Sequence, residues 1–363
     1  MNKVKRVLHF QGRMGKGGAE SFMMNLYRRI DRHKVQFDFL IYDDFAHVTD
    51  YHEEIKKLGG RIFVVTNPKK NIIKYWFEVR KLLAEQHFDI VHNEVYFGGG
   101  INLLLARKRG ITQRIAHSHA TSDGKSSNFL MNLLRKYLHH LLIKEATDFL
   151  AVSKEAGDSL FQGHHYEIIH NGIDLSLYKT DEDVRAEKRA ELGLSPNDFV
   201  IGNIGRLEKQ KNQTYLIDIV SELLQKKPDA KLLIVGAGSL QKSLEKQITE
   251  LSLSKNVYLL GERNDIPELF QAMDVFCMTS LYEGLPMVGL EAQASRKKLV
   301  LSSTISPDTK LTPNVTFISL DEAKATWCEA ILSQPLNNEI TQELMEYDVS
   351  HTLQQMLKVY KVY

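Results

Sequence analysis

Short apolar runs rich in β-branched and aromatic residues alternate with longer helical patterns along most of this 363-residue chain. Such alternation is typical of βαβ units, which build parallel sheets covered by helices on both faces. The scheme is interrupted by the polar stretch 180–198 and then starts again. We therefore predict an α/β protein with two Rossmann-like, doubly wound domains, over residues 1–180 and 181–347. The predicted strands span residues 4–10, 35–42, 61–65, 89–94, 114–119, 148–153, 199–205, 231–238, 257–261, 275–280 and 298–303.

Size and composition agree with two soluble domains and exclude several other classes of protein. The charged fraction of 25% and the hydrophobic fraction of 43% are those of a globular chain rather than a disordered one. The sequence contains no apolar run of about eighteen residues, and its start lacks the apolar core of a secretory signal. Cys277 and Cys328 stand far apart, which predicts buried thiols in a reducing cytoplasm rather than a disulfide or a zinc site.

Charge is unevenly divided along the chain. Residues 1–170 carry an excess of Lys and Arg, and the remaining residues carry an excess of Asp and Glu. The asymmetry indicates two domains with different partners, the basic one near anionic lipid or phosphate, although ordinary surface variation is the alternative. Nucleic acid is not an expected partner, because the basic residues are spread out and no recognition motif is present.

Two motifs in the first half follow predicted strands, where sheets of this class bind ligands. GKGGAE at 15–20 is a glycine-rich turn before a helix, and it suits a phosphate. Glu20 occupies the third glycine position of a dinucleotide fingerprint, which disfavours a nicotinamide oxidoreductase and leaves a tight structural turn as the alternative. His117 and His119 alternate at the end of another strand, so they share one face and are candidates for proton transfer or for a structural role.

In the second half, Arg206 and Lys211 lie on the loop that follows the first strand of the new domain. A planar fork donor and a compact ammonium together suit a diphosphate, unless Glu208 simply pairs with one of the two cations. Gly236 ends a buried strand and would let a flat ligand lie against the backbone. Arg263 stands just past the next strand.

The segment YEGLPMVGLE places Glu283 before a Gly-Leu-Pro turn and Glu291 beyond it. Pro286 suits the first helical position, so we predict a helix over 286–295 whose first amides hold a phosphate or a sugar hydroxyl. A carboxylate accepts two hydrogen bonds side by side, as a ribose diol or a pair of sugar hydroxyls requires. The two glutamates are therefore predicted to hold opposite ends of a nucleotide sugar.

Two other uses of these glutamates remain open. A general acid with a nucleophilic carboxylate would suit glycoside hydrolysis, but Arg206 and Lys211 would then have nothing to bind. Compensation of the helix dipole would explain one glutamate and not the ordered combination of both.

Taken together, these motifs resemble a known family, the retaining glycosyltransferases of family 4, which have the GT-B fold. The closest resemblance is to bacterial capsular and exopolysaccharide enzymes. Nine segments match in family order: GKGGAE, FDIVHNE, RIAHSHA, FLAVS, IIHNGID, IGNIGRLEKQKN, LLIVGAGSL, LLGERNDIP and SLYEGLPMVGLEAQA. The resemblance implies two domains facing across a cleft, with a C-terminal helix at 348–363 crossing back to the first domain. Arg296 stands where members often have glycine, which predicts a different end for the preceding helix.

The resemblance also implies the roles of individual residues. His119 is implied near the anomeric centre and Glu283 near the donor sugar, as the catalytic pair. No metal and no cofactor are implied, and the sugar is transferred with retention of configuration by same-face attack. With the motifs above, the donor-binding residues are Gly17, Gly18, Arg206, Lys211, Gly236, Arg263, Gly284, Leu285, Pro286, Met287, Val288 and Glu291.

The expected partners follow from the same resemblance. The donor is expected to be a nucleotide sugar, most simply a UDP-sugar, and the acceptor a glycan, often lipid-linked, at the inner face of the plasma membrane. The basic amphipathic segments 69–81 and 128–144 would lie on anionic lipid, or else pack against the sheet. Alternatives for the whole protein are a nucleotide-sugar epimerase of similar architecture and a non-catalytic sugar-nucleotide binding module.

Overall fold

The computed structural model describes residues 4–15, 17–119, 129–336 and 339–362. The chain divides into two compact units, one formed by Met1–Gly172 with Val349–Tyr363 and the other by Ile173–Asp348. Each unit contains one parallel sheet with helices on both faces, which confirms the predicted α/β fold.

The first unit has a seven-stranded sheet in the order β3-β2-β1-β4-β5-β6-β7. Its strands are β1 (Lys5–Gly12), β2 (Val35–Tyr42), β3 (Ile62–Val65), β4 (Ile90–Asn93), β5 (Gln113–Ser118), β6 (Asp148–Ala151) and β7 (Glu167–Ile168). Its helices are α1 (Gly18–Arg29), α2 (His52–Lys57), α3 (Ile72–Glu85), α4 (Gly100–Lys108), α5 (Phe129–Glu145) and α6 (Lys154–Phe161), joined by a terminal helix described below.

The second unit has a six-stranded sheet in the order β10-β9-β8-β11-β12-β13. Its strands are β8 (Phe199–Ile204), β9 (Ala230–Val235), β10 (Val257–Leu259), β11 (Val275–Met278), β12 (Lys298–Ser302) and β13 (Val315–Ile318). Its helices are α7 (Glu182–Glu191), α8 (Gln213–Leu223), α9 (Gln241–Glu250), α10 (Ile266–Ala272), α11 (Met287–Ala294), α12 (Lys324–Leu332) and α13 (Gln342–Met345).

The terminal helix α14 (Val349–Val359) belongs to the first unit, as predicted. It packs beside α1, and Met356 and Tyr360 are fully buried in the core on that face of the sheet. The ammonium of Lys5 on β1 donates to the carbonyl of Tyr360 at 3.0 Å and to that of Lys361 at 2.9 Å. These contacts join the last residues of the chain to its first strand.

Local sequence explains several of the helix starts. Asn71, Ser153 and Asp181 precede α3, α6 and α7, and each side chain accepts a backbone N–H from the first turn. Both cysteines are buried and free, as predicted. Among the residues that the structure describes, no helix combines the length and apolar character needed to cross a membrane.

Candidate active site

The proposed nucleotide loops lie where the strand order of the second sheet reverses. β8 and β11 are neighbours, although the chain forms β9 and β10 between them. Open α/β sheets bind ligands at such a switch point, outside the carboxyl ends of the strands. The loop 205–212 follows β8 and carries Arg206 and Lys211, and the loop 279–286 follows β11 and carries Glu283.

Backbone and side-chain hydrogen bonds join these two loops. The N–H of Leu281 donates to the carbonyl of Gln210 at 2.7 Å, and the side chain of Gln210 donates to the carbonyl of Tyr282 at 3.0 Å. The hydroxyl of Thr279 donates to the carbonyl of Asn212 at 2.9 Å. Asn212 has the left-handed conformation (φ +53°) that ends the first loop immediately before α8. The loops are therefore fixed to each other before any ligand binds.

Lys211 and Glu283, which are 72 positions apart, form an ion pair in this setting. The Lys211 Nζ lies 2.5 Å from Glu283 Oε1, and only 16% and 12% of the two side chains are exposed. The sequence predicts that Lys211 binds the diphosphate and that Glu283 lies near the sugar, but it does not predict a contact between them. The ion pair holds both side chains in position.

Arg206 is exposed, and it makes no ion pair among the residues that the structure describes. Glu208 is bound elsewhere, because it accepts the N–H of Ser239 at 3.0 Å and the Ser239 hydroxyl at 2.7 Å. The sequence left open that Glu208 pairs with Arg206 or Lys211. The structure does not show that pairing. The guanidinium of Arg206 is left available for an anion.

Helix α11 begins one residue later than predicted, at Met287, and Pro286 occupies its N-cap position. Pro286 has no N–H, so it can shape the turn but cannot donate to a ligand. The remaining donors around this end are the amides of Gly284, Leu285, Met287 and Val288, in a helix terminus that favours anions.

Glu291 lies one turn inside α11 next to Tyr178, a residue that the sequence reasoning missed. Burial raises the pKa of Glu291 to about 7, and the hydrogen bond with Tyr178 opposes that rise. Tyr178 is 7% exposed and ends a short 3-10 helix at Leu175–Tyr178, far from Glu291 in sequence. No local motif marks such a contact, and only the fold reveals it.

Gly236 and Arg263 both make structural contacts. Gly236 has φ +136°, and a side chain there would place its Cβ 2.1 Å from the carbonyl oxygen of Gly205. Arg263 donates to Asp265 at 2.8 Å and to Glu191 at 2.7 Å. These contacts explain both residues without a ligand, and their roles in donor binding stay predictions.

In the first unit, Gly17 occupies the N-cap position of α1, and Gly18 is the first residue of that helix. A Cβ on Gly17 would lie 2.2 Å from Oε2 of Glu20, and the other carboxylate oxygen, Oε1, accepts from Arg13 at 2.7 Å. Gly18 has no neighbour within 4 Å of the corresponding position, so its surroundings are open.

His119 belongs to a buried cluster on one face of the first sheet. His9 on β1 lies opposite His92 on β4, and His117 lies at the end of β5. Glu94 follows β4, and its side chain is 1% exposed while that of His119 is 11% exposed. His119 Nε2 is hydrogen-bonded to Glu94 Oε2, and His9 Nδ1 lies 3.1 Å from Glu94 Oε1. Glu94 ends the motif FDIVHNE, which by itself predicts no role for this residue.

Comparison with known proteins identifies the family. The family Glycosyltransferase Family 4 matches residues 16–177, and the family Glycosyl transferases group 1 matches residues 184–347. A relative named as glycosyltransferase EpsF, from Bacillus subtilis (strain 168), is 34% identical over 99% of this chain and 97% of its own length. The chain belongs to the family 4 glycosyltransferases.

Two further relatives of this glycosyltransferase extend the similarity. The UDP-Gal:alpha-D-GlcNAc-diphosphoundecaprenol alpha-1,3-galactosyltransferase of Escherichia coli is 30% identical over 74% of this chain and 72% of its own length. The capsular polysaccharide biosynthesis glycosyltransferase CapH of Staphylococcus aureus is 24% identical over 98% of both chains.

The fold of the glycosyltransferase matches solved structures over the whole chain. Anabaena Alr3699/HepE in complex with UDP has a TM-score of 0.78 and 23% identity, and the match covers 99% of this chain and 100% of that one. A glycosyltransferase from Rickettsia africae ESF-5 has a TM-score of 0.79 and 17% identity, with 99% and 98% covered. The predicted GT-B fold is thereby confirmed.

Among the residues that the structure describes in the glycosyltransferase, two groups of side chains could geometrically hold a metal ion. Their ligand atoms lie within 4.8 Å of one another, and the groups are His9 with His92 and Glu94, and Glu94 with His117 and His119. Hydrogen bonds among the same atoms account for the arrangement without an ion, so the absence of a metal stays a prediction.

Proposed function

We propose that this glycosyltransferase moves a sugar from a UDP-sugar to a lipid-linked glycan acceptor during capsular or exopolysaccharide synthesis, with retention of configuration and without a metal. The observation that carries the proposal is the Lys211–Glu283 ion pair at the switch point of the second sheet. It brings a cation that suits phosphate to a carboxylate that suits sugar hydroxyls, on a loop that leads into a helix N-terminus with its free amides.

Charge and donor geometry suggest how the nucleotide sugar lies in this pocket. Arg206 and Lys211 bind the diphosphate together with the amides of Met287 and Val288, and their positive charge stabilises the leaving group. Glu291 accepts the two ribose hydroxyls. Glu283 accepts sugar hydroxyls through the oxygen that Lys211 leaves free, so the ion pair fixes the carboxylate while it binds.

The chemistry proposed here breaks the bond between the anomeric carbon and the diphosphate oxygen, and the electron pair leaves with the diphosphate. The acceptor hydroxyl forms the new bond on the same face of the sugar. Its proton passes to the departing phosphate oxygen, so no other base has to consume it. His119 keeps the role that the family resemblance implies, near the anomeric carbon.

The relatives support the choice of donor and acceptor. Solved structures of Anabaena Alr3699/HepE contain UDP, UDP with glucose, or UDP-glucose. The Escherichia coli relative is named for a UDP-Gal donor and a diphosphoundecaprenol-linked acceptor. A uracil nucleotide and a polyprenyl diphosphate glycan are therefore the first pair to test.

Calorimetric titration with UDP, GDP and ADP tests the donor site. We expect selective binding of UDP that Glu291→Ala and Lys211→Ala weaken, whereas Lys209→Ala, an exposed lysine on the same loop, leaves it unchanged. Equal binding of all three nucleotides, or no binding, would contradict the proposal. Incubation with UDP-sugars and polyprenyl diphosphate glycans then tests transfer, and NMR of the product gives the anomeric configuration. Epimerised donor formed without an acceptor would instead favour an epimerase.

We further propose that the first unit contacts the cytoplasmic face of an anionic membrane through the N-terminal half of α5. Phe129, Leu133 and Tyr137 there are 78%, 58% and 62% exposed, and Lys136 beside them is exposed too. Leu141 and Leu142, at the other end of the helix, are buried, and Leu142 belongs to a core cluster of the first unit. Apolar side chains mixed with lysine suit the interface of an anionic bilayer.

Co-sedimentation with vesicles tests this contact. We expect binding to vesicles of phosphatidylglycerol and phosphatidylcholine, weaker binding at high salt, and none to phosphatidylcholine alone. The double variant Phe129→Ser/Leu133→Ser should lose the binding, whereas Leu336→Ser, which changes a 65% exposed leucine of the second unit, should keep it. Equal binding of both variants would refute the contact.

A further inference from the structure

Glu94 is the one carboxylate within the buried histidine cluster of His9, His92, His117 and His119 among the residues that the structure describes. An ionised carboxylate only accepts hydrogen bonds, so each histidine nitrogen bonded to it must carry a proton. The contacts therefore assign protons to His9 Nδ1 and to His119 Nε2.

The remaining histidines contact each other and also approach Glu94, since His92 Nε2 lies 3.3 Å from Glu94 Oε1 and His117 Nδ1 lies 3.6 Å from Glu94 Oε2. His92 Nε2 lies 3.1 Å from His117 Nδ1, and His92 Nδ1 lies 2.8 Å from the hydroxyl of Tyr360. Burial lowers the pKa of His92 to about 3 and that of His117 well below its usual range. Burial opposes the ionisation of Glu94, but the surrounding histidines, His92 and His119 first, hold its pKa well below the usual range.

We propose that Glu94 is a positioning residue for His119, holding the ring in its Nε2–H form so that Nδ1 keeps the lone pair that accepts a substrate hydroxyl. The neutral imidazole has one donor and one acceptor nitrogen, and the partner of one nitrogen sets the role of the other. Phe22 on α1 adds a steric restraint, since its ring lies edge-on to His119 with centroids 5.5 Å apart. The inference rests on the proposed function for the identity of the hydroxyl, but not for the ring form.

Nitrogen-15 NMR of histidine-labelled full-length protein measures the ring form directly. Long-range couplings distinguish the two neutral forms, and the His119→Asn variant identifies the signals of His119. We expect the Nε2–H form in the free wild-type protein. In Glu94→Gln the amide places both a donor and an acceptor beside Nε2, and we expect a shift toward the Nδ1–H form.

Glu145→Gln is the matched control. Glu145 is another buried glutamate of the first unit, with 2% of its side chain exposed, and it accepts from Arg107 at 2.5 Å. Its replacement should lower stability without changing the His119 signals. In the transfer assay, Glu94→Gln should lower kcat about a hundredfold while the Kd for UDP stays within about twofold, because His119 loses the acceptor nitrogen that orients the substrate hydroxyl and the nucleotide loops are intact. Glu94→Asp, which keeps the carboxylate on a shorter side chain, should recover part of that loss.

The Nδ1–H form in the wild-type protein would overturn the inference without any variant having to fold. An unchanged ring form in Glu94→Gln would also overturn it, as would a stoichiometric metal that resists chelation, since Glu94 would then serve the ion. Failure of the proposed function looks different. It would leave the protein without transfer on any acceptor while the NMR result for Glu94 still stands.

Discussion

At the residue scale, Glu291 combines a half-buried side chain with a predicted role in holding ribose. Because burial raises its pKa to about 7, part of the free protein holds this group protonated near neutral pH. Ribose hydroxyls donate to the ionised form, so binding releases a proton and weakens as the pH falls through 7. We expect the Kd for UDP to rise about tenfold between pH 8 and pH 6, measured by calorimetry in buffers of different ionisation enthalpy.

The control for this pH dependence is Glu291→Gln, which binds more weakly and keeps only the titration of UDP itself. The same raised pKa favours the protonated folded state, so its contribution to stability is complete below the unfolded value of 4.5 and is lost as the pH rises through 7. Glu291→Gln should therefore be the more stable protein at pH 8. Parallel Kd curves for the two proteins would contradict this account.

Lys211 carries the second prediction at this scale. Lys211→Met leaves the carboxylate of Glu283, 12% exposed, without its counter-charge. We expect a loss of about 1–3 kcal/mol in the free energy of unfolding, less than for a fully buried pair. The double variant Lys211→Met/Glu283→Gln should recover most of that loss, and Lys209→Met should cost almost nothing. Urea denaturation of the wild-type protein and these three variants measures the free energies of unfolding. A double variant no more stable than Lys211→Met would exclude the coupling.

At the element scale, helix α11 is followed by a residue in a left-handed conformation. Arg296 adopts φ +56°, a left-handed conformation that L-residues rarely take, and its N–H donates to the carbonyl of Gln293 at 2.9 Å. Glycine adopts this conformation without strain, so Arg296→Gly should raise the free energy of unfolding by about 0.5–1 kcal/mol. Arg296→Ala retains the strain and should bring no gain. Thermal denaturation tests both, and equal effects of Gly and Ala would disprove the strain argument.

Elements were predicted best where their sequence patterns are long. Alternation along the chain predicted eleven of the strands to within a few residues, but not the short strands β7 (Glu167–Ile168) and β13 (Val315–Ile318). Two residues are too few to show a period, and both β7 and β13 are edge strands that each pair with a single neighbour in their sheet. Helix α11 was predicted one residue too long at each end, an ordinary error where a proline precedes a helix.

The sequence predicts the loops that form the candidate site, but not the side-chain contacts between residues that are distant in sequence. Local motifs place Lys211 and Glu283 after strands, but their ion pair depends on β8 and β11 being neighbours, which no local pattern gives. The same reason explains why Tyr178 and Glu94 were assigned no role. Each acts through a residue distant in sequence, Glu291 in one case and His119 in the other.

At the scale of the whole molecule, the last helix completes the core of the first unit. Tyr360 is fully buried, and its hydroxyl lies 2.8 Å from His92 Nδ1 on β4, so the chain end supports the strand that leads to Glu94. Tyr360→Phe keeps the ring and removes this contact, while Tyr360→Ala also leaves a cavity. We expect losses of about 1–2 kcal/mol and 3–5 kcal/mol in the free energy of unfolding.

Hydrogen exchange shows where these losses act. Because Tyr360 packs in a core separate from that of the second unit, the amides of β1 and β4 should exchange faster in Tyr360→Ala, whereas those of β8 and β11 should keep their wild-type protection. Tyr137→Phe, at a 62% exposed position of the first unit, should change neither set. Equal deprotection of all four strands would mean that the terminal helix stabilises the chain as a whole, and the support would then not be local to the strand that carries His92.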